Sequence, residues 1–178
     1  MSKKILLPIL LVVAMVALSG CFLTDKIKDK VSNEVGEKVT EKVLESATGT
    51  DIDLETNSAT VNSNGNVISY GTQELPDGFP SNIPVYQPST IVFSSSTTDG
   101  DYSVSLEVKD TYANVVAYYD TNIKSNNWTV DYSSNYNSDG TRMTMMNLSK
   151  NNELLDITIT ETDASTVSVG LIAGKKSE

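Results

Sequence analysis

The sequence contains no histidine and only one cysteine in 178 residues. It therefore lacks the most common general base and metal ligand of proteins, and it cannot form a disulfide bond within itself. Basic residues are also scarce, with 13 Lys and Arg against 23 Asp and Glu and a formal net charge of −10. This charge argues against nucleic acid as a partner, because nucleic acids bind basic surfaces.

No constellation of catalytic side chains is recognisable. Without histidine, no serine can be activated by a Ser-His-Asp triad, so we predict that the protein is not an enzyme. The alternative left open is a hydrolase that uses paired carboxylates, for which the chain offers Glu107, Asp110, Asp131 and Asp156. No cofactor is predicted.

The first 20 residues have the pattern of a secretory signal peptide. Lys3 and Lys4 form a positive start, and the residues from Ile5 to Ala17 are apolar apart from Pro8. This stretch is shorter than the roughly 20 apolar residues that a transmembrane helix needs, which argues against an uncleaved membrane helix.

The signal peptide ends in Leu18-Ser19-Gly20-Cys21, which resembles the lipobox of prokaryotic lipoproteins. The resemblance implies cleavage between Gly20 and Cys21 and attachment of palmitate-type acyl chains through Cys21. A free thiol and an intermolecular disulfide are the alternatives for this lone cysteine. We predict a lipoprotein on the exported side, in the outer leaflet of the cell membrane or in the outer membrane.

Two short regions follow the anchor. Residues 21–49 are predicted to form an amphipathic spacer helix with Gly49 as its end, and docking of this helix to a partner is the alternative. Residues 50–70 alternate between polar and apolar side chains, which predicts a short β-meander with a type I′ turn at Asn64-Gly65.

Residues 71–88 are predicted to be a Pro-rich linker. All four prolines that follow the leader occur here at a spacing of four, Pro76, Pro80, Pro84 and Pro88, and this spacing is incompatible with a helix interior or a central strand. The run from Leu75 to Tyr86 (LPDGFPSNIPVY) is similar to the opening segment of an uncharacterised family of prokaryotic lipoprotein domains, over residues 75–173. The resemblance implies two strands, a helix and a tryptophan-containing strand, but no activity.

Residues 89–174 are predicted to form the main domain, with residues 175–178 as a tail. Alternation from Tyr102 to Val108 indicates a strand, and the next apolar residues have helical spacing after a cap at Asp110 or Thr111. Four strands separated by short turns follow, with a bulge predicted near Met145. The predicted fold class is α+β: an N-terminal helix and short β-meander, then a β-β-α-β-β-β-β domain with one helix packed on a twisted antiparallel sheet.

No metal site is predicted. The run Asn135-x-Asn137-x-Asp139-Gly140 matches the first half of a calcium-binding loop, but Met146 stands where the bidentate glutamate is required. We predict an ordinary hairpin at this place.

The aromatic side chains allow two interpretations. Tyr119, Trp128 and Tyr132 are predicted to be core residues, whereas Tyr118 and Tyr136 are candidates for an exposed binding platform. The leading prediction for function is a non-catalytic, lipid-anchored cell-envelope protein that displays a small α+β domain to an envelope protein partner. The alternative is a ligand-binding module for a glycan, a peptide or a small molecule.

Overall fold

The computed structural model describes residues 50–55, 58–71, 74–138 and 140–176. All of these residues belong to a unit that extends from Leu44 to Glu178. The predicted signal peptide, the predicted lipidation site at Cys21 and the predicted spacer helix lie outside the described residues. Among the described residues, no helix is long and apolar enough to cross a membrane.

The described residues contain nine strands and one helix. The strands are β1 (Asp51–Glu55), β2 (Ser58–Ser63), β3 (Asn66–Tyr70), β4 (Thr90–Ser96), β5 (Tyr102–Val108), β6 (Thr129–Ser138), β7 (Thr141–Lys150), β8 (Glu153–Asp163) and β9 (Thr166–Lys175). The helix, α1, extends over Tyr112–Ser125 between β5 and β6. The strands form one antiparallel sheet in the order β1-β2-β3-β4-β5-β9-β8-β7-β6.

The turns between strands follow from local sequence. Asn64 and Gly65 both have positive φ, 53° and 82°, which is the backbone of the predicted type I′ hairpin between β2 and β3. The run that matches the first half of a calcium-binding loop lies at the hairpin between β6 and β7, in which Ser138 pairs with Thr141. A bulge near Met145 is not present, because β7 keeps an unbroken register with β8 from Met143 to Lys150. The irregularity lies instead in β6, between Val130 and Tyr132.

Helix α1 has a well-defined start and end. The Thr111 side chain is the N-cap and accepts a hydrogen bond from the backbone N–H of Asn114. At the other end Asn127 has a φ of 59°, and the N–H of Trp128 donates to the carbonyl of Ile123 at 3.1 Å. This six-residue closure is a Schellman motif. It directs the chain back to the sheet and puts Trp128 next to the helix that it follows.

The core lies between α1 and one face of the sheet. Val115, Tyr119 and Ile123 face inward from the helix, which contacts β8 and β9. The sheet contributes alternating residues that are almost fully buried, among them Val104, Leu106, Leu155, Ile157, Val169 and Leu171. One helix thus covers one face of the antiparallel sheet.

The segment between β3 and β4, residues 74–88, is called the strap here. Two turns shape it: the N–H of Phe79 donates to the carbonyl of Pro76 at 3.0 Å, and the N–H of Ile83 donates to the carbonyl of Pro80 at 3.1 Å. Ile83 is buried in the core, and Phe79, Val85 and Tyr86 pack against it. Residues 79–86 of the segment that was predicted as a Pro-rich linker are therefore packed on the folded unit.

The predicted fold class is wrong. Strand β3 pairs with β4 from Val67 opposite Ser96 to Tyr70 opposite Phe93, so the meander extends the same sheet as the domain. Prolines exclude a strand locally, but they do not prevent the chain from returning to the neighbouring position after the strap. The described unit is thus mainly a nine-stranded antiparallel sheet with one helix, and not the predicted α+β arrangement.

Candidate functional site

A cavity of about 180 Å³, called the strap cavity here, lies between the strap and one end of the sheet. Apolar side chains form most of its wall: Ile83, Tyr102, Trp128, Leu154 and Ala173. Ile83, Trp128 and Ala173 are each at most 5% exposed, so the wall is part of the packed core. The polar side chains that line the cavity are Asn82, Glu153 and Lys175.

The strap is held over this cavity by two hydrogen bonds from one residue. The Asn82 amide donates to Glu153 Oε2 at 2.9 Å, and the Asn82 backbone carbonyl accepts from Trp128 Nε1 at 3.1 Å. The first bond ties the strap to the start of β8, and the second ties it to Trp128, between the end of α1 and the start of β6. Asn82 therefore joins three parts of the fold at the edge of the cavity.

A glycine allows the strap to approach the sheet at this end. Gly78 has a φ of 77°, and a Cβ atom built on it would lie 2.9 Å from the Tyr102 hydroxyl. A type II turn requires positive φ at its third residue, which glycine adopts without strain. Phe79, the next residue, packs edge-to-face on Tyr102 with ring centroids 5.8 Å apart.

Charged groups of both signs border the strap cavity. Lys175 is exposed and Glu153 is half-buried, and the two residues are paired in the register of β8 and β9. The ammonium of Lys150 lies 5.9 Å from the centroid of the Trp128 ring. The cavity thus offers apolar walls to a ligand, with an amide, a carboxylate and an ammonium group at its border.

Tyrosines attach the other end of the strap to α1. The Tyr118 hydroxyl donates to the Val85 carbonyl at 2.9 Å, and the Tyr86 hydroxyl donates to Asp110 Oδ2 at 2.6 Å. This second bond is the main reason why the pKa of Asp110 lies below its ordinary value and the pKa of Tyr86 lies above it. Bonds from the Asn114 side chain and the Thr111 N–H lower the pKa of Asp110 further.

The two residues predicted as a binding platform are not brought together. The Tyr118 ring is half-buried and packs against Tyr86 and Tyr119. Asn135 bonds to Thr144, which also bonds to Tyr112 of the helix, so Asn135 faces α1. Because side chains alternate along a strand, Tyr136 lies on the opposite face.

The sheet face opposite α1 is called the open face here. Large apolar side chains are exposed on it: Tyr132 at 57%, Tyr136 at 56%, Met145 at 45% and Ile172 at 57%. Tyr119 and Trp128 are core residues as predicted, but the prediction that Tyr132 is a core residue is wrong. The bulge at Asp131 shifts the alternation of β6, which turns Tyr132 away from the helix.

A second cavity, of about 200 Å³, lies where the start of the strap approaches β2, β3 and β4. Hydroxyl side chains line it, among them Thr60, Ser69, Ser94 and Ser96, together with Glu74 and Asp77 of the strap. Thr60 and Ser69 are hydrogen-bonded to each other at 3.1 Å. This cavity is more polar in character than the strap cavity.

Three of the four carboxylates that were available for hydrolysis, Glu107, Asp110 and Asp156, have separate partners. Glu107 forms an ion pair with Lys109 at 2.8 Å, Asp110 holds the strap and the helix start, and Asp156 accepts from the Asn147 amide at 2.5 Å. Within the described part of the chain, no group of three His, Cys, Asp or Glu residues could hold a metal ion.

Asn82, Glu153 and Lys175 were not singled out from the sequence. They are ordinary surface residue types separated by up to 93 positions, and only the fold brings them to one cavity. Trp128 is the residue from which the sequence could have located this cavity. It follows two asparagines at the end of the helix, and the Schellman motif there directs it towards the sheet.

Comparison with known protein families gives a match for the C-terminal part of the chain. Residues 88–166, which extend from the end of the strap to the start of β9, match the model of a family described as START domain-like. No curated protein matches the chain. The match confirms, in part, that the C-terminal segment resembles an uncharacterised domain family, and it covers somewhat less than half of the chain. In this segment the chain is similar to the START domain-like family.

Proposed function

We propose that this protein is a membrane-tethered, non-catalytic ligand-binding module and that the ligand enters the strap cavity. The observation that carries the proposal is the cavity itself, whose apolar walls include Trp128 and Tyr102 and whose border includes Glu153 and Lys175. Ligand sites combine apolar walls with a few placed polar groups in this way. The similarity to the START domain-like family supports the same function, because that match suggests a ligand-binding module.

The size of the cavity limits the ligand. An apolar cavity of about 150 Å³ is large enough to bind benzene, whereas sites for drug-sized molecules start at about 300 Å³. The strap cavity, at about 180 Å³, therefore accepts one ring-sized group. A sugar ring and an aromatic side chain share the required chemistry, an apolar face with a polar edge that Asn82, Glu153 or Lys175 can bind.

The membrane tether is the second part of the proposal. It rests on Leu18-Ser19-Gly20-Cys21 and its resemblance to the lipobox, with acyl chains on Cys21 as the anchor. Two acyl chains give stable attachment to a bilayer, whereas one chain gives only marginal attachment. A tethered binding module would present its cavity on the exported side of the membrane.

Fluorescence can test binding directly, because Trp128 is the only tryptophan of the chain and lines the strap cavity. The full chain would be titrated with short N-acetylglucosamine oligomers in one series and with phenylalanine-containing peptides in another. We expect one series to give a saturable change in Trp128 emission. No saturable change in either series would contradict the proposal.

A matched pair of variants locates the site. Ala173→Leu adds volume inside the cavity, and Ile172→Leu changes the neighbouring residue, which is 57% exposed on the open face. We expect Ala173→Leu to weaken binding at least ten-fold and Ile172→Leu to leave it unchanged, with circular dichroism showing that both variants are folded. Equal binding by both variants would place the ligand elsewhere.

An envelope protein partner is the second candidate function. The observation that favours it is the open face, where Met145 and Ile172 are 45% and 57% exposed, because exposed apolar side chains in one region are typical of protein interfaces. Crosslinking in cells followed by mass spectrometry tests it. A reproducible foreign protein crosslinked to β7 or β9 would support this function, and crosslinks confined to the cavity border would contradict it.

A further inference from the structure

The two edge strands of the described sheet differ in how they are protected against pairing with a strand of another molecule. Edge strand β1 has five residues, of which Asp51, Asp53 and Glu55 are acidic. Edge strand β6 has ten residues, and its only charged residue is Asp131. Natural proteins protect sheet edges by short strands, charges and proline. Strand β6 is long and has no proline, and no strand in the described part of the chain pairs with its outer edge.

The bulge near Asp131 leaves a regular stretch beyond it. From Tyr132 to Ser138, β6 keeps a continuous register with β7, without a charged residue. In the described sheet β6 is the last strand and pairs with β7 alone. From Tyr132 to Tyr136 the outward backbone N–H and C=O groups therefore face away from the described sheet, and another strand can satisfy them.

The aromatic residues of this stretch are placed symmetrically. Tyr132 and Tyr136 lie two residues before and after Ser134, both on the open face, with nearly equal exposure of 57% and 56%. If two β6 strands pair antiparallel about Ser134, Tyr132 of each copy lies opposite Tyr136 of the other. The same register puts Ser133 opposite Asn135, so no like charges face each other within the stretch.

We propose that two copies of this chain pair through their β6 edges, with a two-fold axis at Ser134. The pairing joins two nine-stranded sheets into one continuous sheet and requires no change in either fold. A two-fold interface needs one surface that is complementary to itself, and the spacing of Tyr132 and Tyr136 provides it. Met143 and Met145 of β7 are the register partners of Tyr136 and Ser134, so they extend the apolar contact on the open face.

Cysteine crosslinking tests the register. Ser134→Cys puts two thiols opposite each other at the axis, whereas Asn137→Cys puts them about 20 Å apart, six residues along the strand. Membranes from cells that produce each full-length variant would be treated with copper phenanthroline, and the wild type would measure the background from Cys21. We expect a crosslinked dimer with Ser134→Cys and only background with Asn137→Cys. Equal crosslinking of both variants, or none above background, would overturn the proposal.

A charge variant tests the interface without a crosslinking reagent. Ser134→Lys puts two ammonium groups opposite each other at the axis, and Thr129→Lys adds the same charge to β6 outside the paired stretch. Native mass spectrometry of the purified full-length protein would measure the dimer fraction over a concentration series. We expect the dimer dissociation constant to rise at least ten-fold with Ser134→Lys and to stay unchanged with Thr129→Lys. A monomeric wild type, or a Ser134→Lys variant that dimerises normally, would contradict β6 pairing.

Discussion

Replacement of Trp128 by alanine tests whether the strap cavity is built on the core. Trp128 is 5% exposed and donates to the Asn82 carbonyl at 3.1 Å. Truncation of a buried tryptophan to alanine costs about 3 to 5 kcal/mol, and loss of a typical hydrogen bond adds about 0.5 to 1.5 kcal/mol. Water can reach the freed carbonyl through the adjacent cavity, so we expect the free energy of unfolding to fall by about 4 kcal/mol.

Urea unfolding followed by far-UV circular dichroism measures this loss, since the variant has no tryptophan fluorescence. Trp128→Phe is the matched control, because it keeps a ring but removes the indole N–H, and we expect it to cost about 1 to 2 kcal/mol. A loss below about 1 kcal/mol for Trp128→Ala would show that the ring contributes little to the core. That result would refute the argument that Trp128 supports both the strap and the cavity wall.

Three further predictions concern other positions. Gly78→Ala puts alanine at a positive φ and its Cβ atom against Tyr102, so we expect the free energy of unfolding in urea to fall by about 2 to 3 kcal/mol. Gly140→Ala has a positive φ but open space around it, and we expect a loss of about 1 kcal/mol. Equal losses for the two variants would contradict the close approach of the strap. Because the pKa of Asp110 is lowered in the folded state, its stabilisation is present above its unfolded pKa of about 3.9 and is lost as the pH falls through the lower folded value. Thermal unfolding between about pH 2 and pH 5 should therefore show a shallower acid loss for Asp110→Asn than for the wild type, and identical slopes would contradict this. Cys21→Ala should release the protein from the membrane fraction, as immunoblotting of fractionated cells would show, and a variant that still sediments with membranes would contradict the lipid anchor.

Much of the local structure could be predicted from the sequence, because it depends on neighbouring residues. The alternation from Tyr102 to Val108 identified β5, and Asn64-Gly65 identified a hairpin turn that the backbone confirms. The N-cap at Thr111 was one of two alternatives, and Asp110 also binds the first turn of the helix. Capping and turn chemistry act within four residues, so the sequence is informative about them.

The pairing of distant segments could not be predicted in the same way. The run of prolines at Pro76, Pro80, Pro84 and Pro88 correctly excluded a helix and a strand, but not the burial of Ile83 between them. The strap cavity depends on Asn82 meeting Glu153, 71 positions later. Neither residue type has a periodic pattern that would predict this contact, because amide and carboxylate side chains are common on any surface.

The pairing of β5 with β9 affects the order in which the sheet can form. Within the group from β1 to β5, strands that are consecutive in the sequence are neighbours in the sheet, and the same holds within the group from β6 to β9. Within the sheet, the two halves are joined by the pairing of β5 with β9, from Tyr102 opposite Ala173 to Val108 opposite Val167. Contacts between distant positions form slowly, because a long loop must close before they give any stabilisation. Until β9 has been synthesised, β5 has an open backbone edge in the middle of the future sheet, and a chaperone that binds extended strands would find its target there.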